Sequence, residues 1–197
     1  MLEHFSLRHG HIYVWGDINE HTAKRFIQKT VYLASREINP ITILIHSLGG
    51  DLEATVAILD EMDMLKHNGF IVKTVALGIA YSAAAFILSM GSKGFRYARA
   101  GASIMLHPSS YCLDFDYSHN QERLSDFLKV KNKVLTKRIA EACGQDSDKL
   151  TNDIDKGLWL SATEALEYGI IDVITDTPLL IGGNNESETQ SSQQRRI

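Results

Sequence analysis

The chain is poor in the residues that would assign it to several large protein classes. Only two of its 197 residues are cysteine. Cys112 and Cys143 lie far apart without C-x-x-C spacing, which argues against a disulfide framework or a thiolate zinc site and fits a reducing cytosol. Charge of one sign is also scarce. The net charge is -4 with both signs interspersed, leaving neither a basic stripe for nucleic acid nor a cationic face for a membrane. The start, Met1-Leu2-Glu3-His4-Phe5, lacks the charged-then-apolar order of a secretory signal, so a cytoplasmic protein is expected. One segment imitates a membrane span: Ile71 to Met90 carries Lys73 as its single charge and has the length to cross a bilayer. Thr74, Gly78, Tyr81, Ser82 and Ser89 dilute it, and the change from β-formers to alanines divides it into two elements. There is no G-x-S-x-G elbow, so an α/β-hydrolase is not indicated. There is no internal repeat, and no metal or cofactor is expected.

What is present is 44% hydrophobic residues in a length suited to one domain with a sizeable core. That domain is expected over residues 1–181, followed by a disordered polar tail over 182–197. His11 to Trp15 reads as a strand, and a helix follows from about Asn19 to Glu37 with Ala23, Phe26, Ile27, Thr30, Val31 and Ala34 as its apolar stripe. Asn39-Pro40 ends that helix. Ile41 to Ile45 has the continuous apolar character of a strand buried on both faces, Ser47 to Gly50 reads as a turn, and Asp51 to His67 as a helix facing inward with Leu52, Val56, Leu59 and Met62. A strand over Ile71 to Leu77 and a helix from Ala83 to Met90 complete a third unit. Three such units in a row predict an α/β fold with parallel strands joined by right-handed crossovers. Further on, Phe95–Ala98 and Ser103–Leu106 read as short strands. Ser118 to Cys143 reads as a long polar helix whose apolar positions Leu124, Phe127, Leu128, Val134, Leu135 and Ile139 are too sparse for burial on several sides. A helix from Asp148 to Lys156 would end at Gly157, Ser161 to Glu164 has capping-box spacing for a helix ending at Gly169, and Ile170–Ile174 reads as the last strand.

Acyl transfer to a serine needs a hydroxyl, a base in reach and N–H donors aimed at the developing oxyanion. Ser82 sits at a strand-to-helix corner. His107 ends a core strand, and the carboxyl ends of adjacent parallel strands gather at one rim, where sites form. Gly49 and Gly50 end an earlier strand at that rim, and lacking Cβ they let the backbone approach a substrate. Each also has a plainer reading: a helix cap, a satisfied structural histidine, a turn. Their joint placement favours chemistry.

Four stretches carry a resemblance: Ile45-His46-Ser47-Leu48-Gly49-Gly50, Gly78-Ile79-Ala80-Tyr81-Ser82-Ala83-Ala84-Ala85, Met105-Leu106-His107-Pro108, and Leu160 through Asp172. In order and spacing they resemble the proteolytic subunit of the Clp protease, from about His11 to Ile174. The resemblance implies a crotonase-like α/β fold, a βα superhelix with a projecting handle helix at about residues 109–143. It also implies a serine endopeptidase in which Ser82 attacks the peptide carbonyl, His107 accepts its proton, and the Gly50 and Ala83 N–H groups hold the oxyanion. Members of that family stack as paired seven-membered rings, interlocked by the handles, and an ATP-driven AAA+ unfoldase feeds them unfolded polypeptide.

The chain departs from the pattern at the third catalytic position. The family's aspartate lies four residues before the serine of Leu-Ser-Ala, where this chain has Gly157, followed by Leu158 in place of arginine. Asp155 is the favoured substitute and Asp153 the alternative. The chain also begins about ten residues before the first strand, which counts against unfoldase docking. Three readings stand: a Clp-type peptidase whose activity is weak or assembly-dependent; a catalytically silent subunit that co-assembles with an intact relative; and, from another class, a crotonase-like acyl-thioester binder in which Gly50 polarises the thioester carbonyl.

Overall fold

A computed structural model describes residues 2–108 and 121–176. Its elements run α1 (Leu2–Arg8), β1 (His11–Ile18), α2 (Glu20–Ser35), β2 (Ile41–Gly50), α3 (Leu52–His67), β3 (Val72–Tyr81), α4 (Ala83–Ser89), β4 (Arg96–Ala98) and β5 (Ser103–Leu106). After residues 109–120 come α5 (Gln121–Cys143), α6 (Ser147–Asp155), β6 (Leu158–Ser161), α7 (Ala162–Tyr168) and β7 (Val173–Ile174). The expected tail over 182–197 and the first part of the expected handle lie outside the described residues.

β1, β2, β3, β4 and β7 lie side by side in that order, and every pairing along this path is parallel. The α/β expectation is met. The apolar run Ile41 to Ile45 is buried in the middle of the sheet, as a strand covered by helices on its faces requires. β3 serves two neighbours: Thr74–Ala76 pair with β4, and farther along Ile79–Tyr81 pair with β5. β5 in turn pairs antiparallel with β6. That second branch carries the rim on which the candidate site lies.

The helices start where the sequence supplies caps. Asn19 and Asp51 accept hydrogen bonds from the first-turn amides of α2 and α3, and Ser161 with Glu164 forms the expected capping box of α7. Each satisfies backbone donors that a helix leaves open. Two strand ends differ from expectation, and two elements lie outside it. β2 continues through the glycines that read as a turn, because β1 pairs with them as far as Ile18↔Gly50. β3 runs on to Tyr81 because β5 extends the ladder. α1 and β6 were not expected at all, being short and without a clear period. On α2 the buried set is Ala23, Phe26, Thr30 and Leu33, whereas Val31 is 58% exposed. On α5, Leu135 and Ile139 are buried while Phe127 and Val134 are exposed, so its C-terminal half packs on the domain. That half is tied to α3 by Arg138, which donates to Asp60 and Asp63 at 2.9 and 2.8 Å, and by Lys131 on Glu53. Among the described residues no helix is long and apolar enough to cross a membrane.

The sheet's far side is locked by one buried charge. Arg96 is 1% exposed, and its Nε and Nη2 donate to the two oxygens of Asp172 at 2.8 and 2.5 Å. Its Nη1 donates to the Ala142 carbonyl at 3.1 Å, and Asp172 also accepts from the Gly94 and Arg96 amides. One guanidinium thereby joins β4, the end of α5 and the turn before β7. Burial works to raise the Asp172 pKa, but hydrogen bonds and charge from Arg96 outweigh it and leave the carboxyl below its ordinary range. Burial also pushes the nearby Cys143 thiol up to about 11, which makes it an inert core residue.

Removing one partner of such a pair leaves an uncompensated buried charge, which costs about 3–5 kcal/mol. Asp172→Ala is therefore expected to lower the thermal midpoint by about 6–20 °C for a chain of this size, read by scanning calorimetry. A depressed folded-state pKa gives stability that is full above the unfolded carboxylate pKa and lost as pH falls through the folded value. The acid limb of the stability curve is accordingly expected to be shallower in the variant than in the parent.

Candidate active site

Ser82 stands between β3 and α4 in a conformation that a plain cap does not need. Its φ and ψ are 54° and -124°, a sparsely populated region for a residue with a side chain, costing roughly 1–3 kcal/mol. Its hydroxyl makes no capping bond to the helix. The backbone is fixed instead: the Ser82 N–H donates to Met105 O at 2.7 Å, and Ser82 O accepts from the Ala85 amide at 2.9 Å. A sharp strand-to-helix turn of this kind pushes a hydroxyl out of the sheet edge, which is how serine nucleophiles are presented elsewhere.

Gly49 is pressed against this corner. A Cβ there would lie 2.7 Å from Ser82 Cβ, 2.9 Å from Tyr81 O and 3.1 Å from Ala83 N, and its φ is 104°, so glycine is required on both counts. Gly50 is closer still to β1, where a Cβ would meet the Ile18 carbonyl oxygen at 2.0 Å. The next amide, that of Asp51, donates to Ile18 O at 2.7 Å. Ser47 clamps the pair by donating to Gly16 O at 2.6 Å and accepting from the Gly49 amide at 3.0 Å. Sequence reasoning missed this residue. Its signal was a serine two positions before a glycine, the pattern of a local side-chain turn.

His107 follows β5 and is half-buried, two residues after the Met105 carbonyl that holds Ser82. Ser82 and His107 thus come from neighbouring strand ends. The β5–β6 register pairs Met105 with Trp159 and Leu106 with Leu158; continued by one position it sets Gly157 opposite His107. Gly157 has φ 76°, and a Cβ there would meet only Trp159 Nε1, at 3.8 Å. Asp155 is the exposed last residue of α6 and makes no hydrogen bond or ion pair among the described residues. Asp153 is engaged elsewhere. It accepts from Tyr168 Oη at 2.6 Å and Lys149 Nζ at 3.0 Å, and the hydrogen bond from Tyr168 leads the causes that hold its pKa low. The Tyr168 hydroxyl is pushed up in turn, by burial first and then by Asp153. Among the described residues no carboxylate hydrogen-bonds His107, and no cluster suited to a metal ion is present.

The profile of the Clp protease family matches residues 3–178. The chain belongs to the Clp protease family. It is 33% identical over 181 residues to "ATP-dependent Clp protease proteolytic subunit 2" of Thermobifida fusca (strain YX), covering 91% of this chain and 87% of that protein. It is likewise 33% identical over 169 residues to the protein of the same name from Prochlorococcus marinus (strain NATL2A), covering 85% and 82%.

Gly49→Ala tests whether the glycine contact sets the corner. The added methyl must displace Ser82 or the backbone around it, so Ser82 is expected to react with a fluorophosphonate at least tenfold more slowly than in the parent, with a lowered thermal midpoint. Labelling at the parental rate would show that the contact does not position the hydroxyl. Gly50→Ala, whose Cβ would overlap the Ile18 backbone of β1, is expected to yield no folded protein by circular dichroism.

Proposed function

We propose that the protein is a Clp-type serine endopeptidase subunit that hydrolyses peptide bonds of unfolded polypeptides. The observation that carries this reading is the strained Ser82 corner, whose backbone is held by the carbonyl two residues before His107. Ser82 Oγ attacks the scissile carbonyl carbon while His107 takes its proton, and the tetrahedral oxyanion is held by the Gly50 and Ala83 N–H groups. His107 then gives the proton to the leaving amine. Water repeats the sequence on the acyl-enzyme and frees Ser82. No metal or cofactor enters. The working form is an assembly of like subunits in the cytosol, taken as paired heptameric rings by family resemblance.

Gly157 sets the level of activity. An orienting carboxylate fixes the imidazole tautomer and stabilises the imidazolium, and neutralising it in a serine protease lowers turnover about 10⁴-fold. Asp155 is the nearest substitute in sequence, two residues from the position opposite His107. A Ser-His pair without help is slow, which also favours a second reading: a silent subunit that joins an intact relative in a mixed ring. The acyl-thioester reading needs the Gly50 amide alone and leaves the strain at Ser82 without a role.

The assembled protein is expected to be labelled by a fluorophosphonate at Ser82, located by peptide mass mapping, and Ser82→Ala to abolish both label and peptidase activity. Absence of label in every oligomeric state ends the peptidase reading. Mixed rings in native mass spectrometry, together with a Ser82→Ala variant that changes nothing, would establish the silent one.

Gly157→Asp is the gain-of-function counterpart. Aspartate tolerates the left-handed backbone at a cost of roughly 1–2 kcal/mol, and only the edge of Trp159 approaches its Cβ. The variant is expected to raise kcat/KM at least tenfold, with the gain vanishing in the Gly157→Asp/Ser82→Ala double variant. Unchanged kcat/KM would mean that another group already orients His107.

A further inference from the structure

Two side chains of β2 reach into irregularities of the strands on either side, directly before the glycine pair. Pairing with β1 holds at Trp15↔His46 and resumes at Asp17↔Gly49, so Ser47 and Leu48 stand against Gly16 alone. Pairing with β3 holds at Ile45↔Ala76 and resumes at Ser47↔Ala80, so His46 alone stands against Leu77, Gly78 and Ile79. At each break a side chain of β2 bonds to a carbonyl of the neighbouring strand. Ser47 Oγ donates to Gly16 O at 2.6 Å, and His46 Nδ1 donates to Leu77 O at 2.5 Å. A carbonyl oxygen only accepts, which places the ring hydrogen on Nδ1.

Both side chains are confined. Ser47 is 1% exposed, and its oxygen also accepts from the Gly49 amide at 3.0 Å. One hydroxyl therefore links β1 to the glycine against which Ser82 is packed. The imidazole occupies room that Gly78 leaves, where a Cβ would stand 3.0 Å from Nδ1. Trp15 stacks on the ring, with centroids 4.4 Å apart at 25°. Ala80, where regular pairing resumes, is followed by Tyr81 and then Ser82. Bulges beside a reactive residue re-aim it. The two here are bonded from one dipeptide, so the approach of β1 and the exit of β3 are set together.

We propose that His46 and Ser47 are positioning residues of the acyl-transfer reaction: they splint the two bulges and thereby hold Gly49 and Ser82 in the geometry of attack. The inference rests on the peptidase reading above. Both residues act through the backbone and not on the scissile bond. Misplacing reacting groups by about 1 Å can cost about 10²-fold in rate, so loss of either splint falls more heavily on reactivity than on folding. Asparagine carries its side-chain nitrogen where histidine carries Nδ1, on the atom next to Cβ. His46→Asn therefore keeps the donor and His46→Leu removes it, while Ser47→Ala removes the other splint.

The first test is the rate at which a fluorophosphonate labels Ser82 in the assembled protein, at a temperature where circular dichroism shows every variant folded. Ser47→Ala and His46→Leu are each expected to label at least tenfold more slowly than the parent, and His46→Asn within about threefold of it. Asp172→Ala, which loosens the far side of the sheet, is expected to keep the parental rate and so separates positioning from lost stability. Parental rates in both Ser47→Ala and His46→Leu overturn the inference, as does equal slowing in Asp172→Ala. Hydrogen exchange, read by mass spectrometry on peptides spanning 47–52 and 77–83, needs no turnover. Both peptides are expected to exchange faster in Ser47→Ala and His46→Leu than in the parent, with protection regained in His46→Asn. That pattern with no label on the parental Ser82 supports the splints and counts against the peptidase reading; parental exchange in both variants overturns the splints whatever the label shows.

Discussion

Two successive positions without a β-carbon determine how close three strands can come. At Gly50 the nearest atom of β1 stands where a methyl group would overlap it outright, and at Gly49 the Ser82 Cβ occupies the corresponding space. β2 therefore passes between its neighbours at a distance that no side chain would permit. Three consequences depend on that approach. β1 remains paired as far as Ile18, the chain turns directly into α3 under the Asp51 cap, and β3 is held so near that its last residue must leave the sheet at a sharp angle. The strain at Ser82 is thus imposed from outside the corner. Contacts on both sides, Gly49 and the Met105 carbonyl, over-determine it, the condition under which an unfavourable backbone conformation persists.

A second constraint fixes the far side of the sheet. The Arg96–Asp172 pair is buried, and ion pairs in that setting offset their own desolvation only when nearly every donor and acceptor is matched. Here they are matched: three guanidinium nitrogens and two backbone amides converge on one carboxylate and the carbonyls around it. The pair specifies arrangement more than it adds stability. It gives the C-terminal half of α5 one docking position against β4, and Arg138 and Lys131 then set its approach to α3 from the surface. In the outer half of α5, before these anchors, the side chains of Phe127 and Val130 are exposed.

Much of this was legible in the residues. The period-3.6 stripes, the apolar strand Ile41 to Ile45 and the caps at Asn19, Asp51 and Ser161 each act locally, so their physics appears in a short window of sequence. The order of Gly49-Gly50, Ser82 and His107 was legible because parallel strands end at a common rim. What escaped depends on partners distant in sequence. Glycines read as a turn because their isolated preference is for turns, yet β1 pairs with them and makes them strand. Leu158–Ser161 is a strand only because β5 lies beside it. Val31 shares the period of the α2 stripe and still faces solvent, since the buried arc is centred on Phe26, Thr30 and Leu33. The role of Ser47 escaped for the same reason, as one of its two hydrogen bonds reaches 31 residues back to Gly16.

The position opposite His107 shows how one substitution separates a fold from its chemistry. Gly157 fits its place structurally: it takes a left-handed conformation directly after α6, a common way to end a helix. The turn leads directly into the β5–β6 ladder, so the sheet closes there without a side chain at position 157. Neighbouring acids do not automatically replace it. Asp153 lies one helical turn back and is held by Tyr168 and Lys149, an arrangement that would have to be broken before it could turn elsewhere. Asp155 has no such commitment among the described residues, but it is exposed, and an exposed carboxylate orients an imidazole weakly because water competes for both partners. Ser82 retains its strain and its backbone supports whether or not His107 is oriented. The backbone of Ser82 and the surroundings of His107 are therefore set by separate parts of the fold, the first by the β1–β2–β3 convergence and the second by the β5–β6 edge.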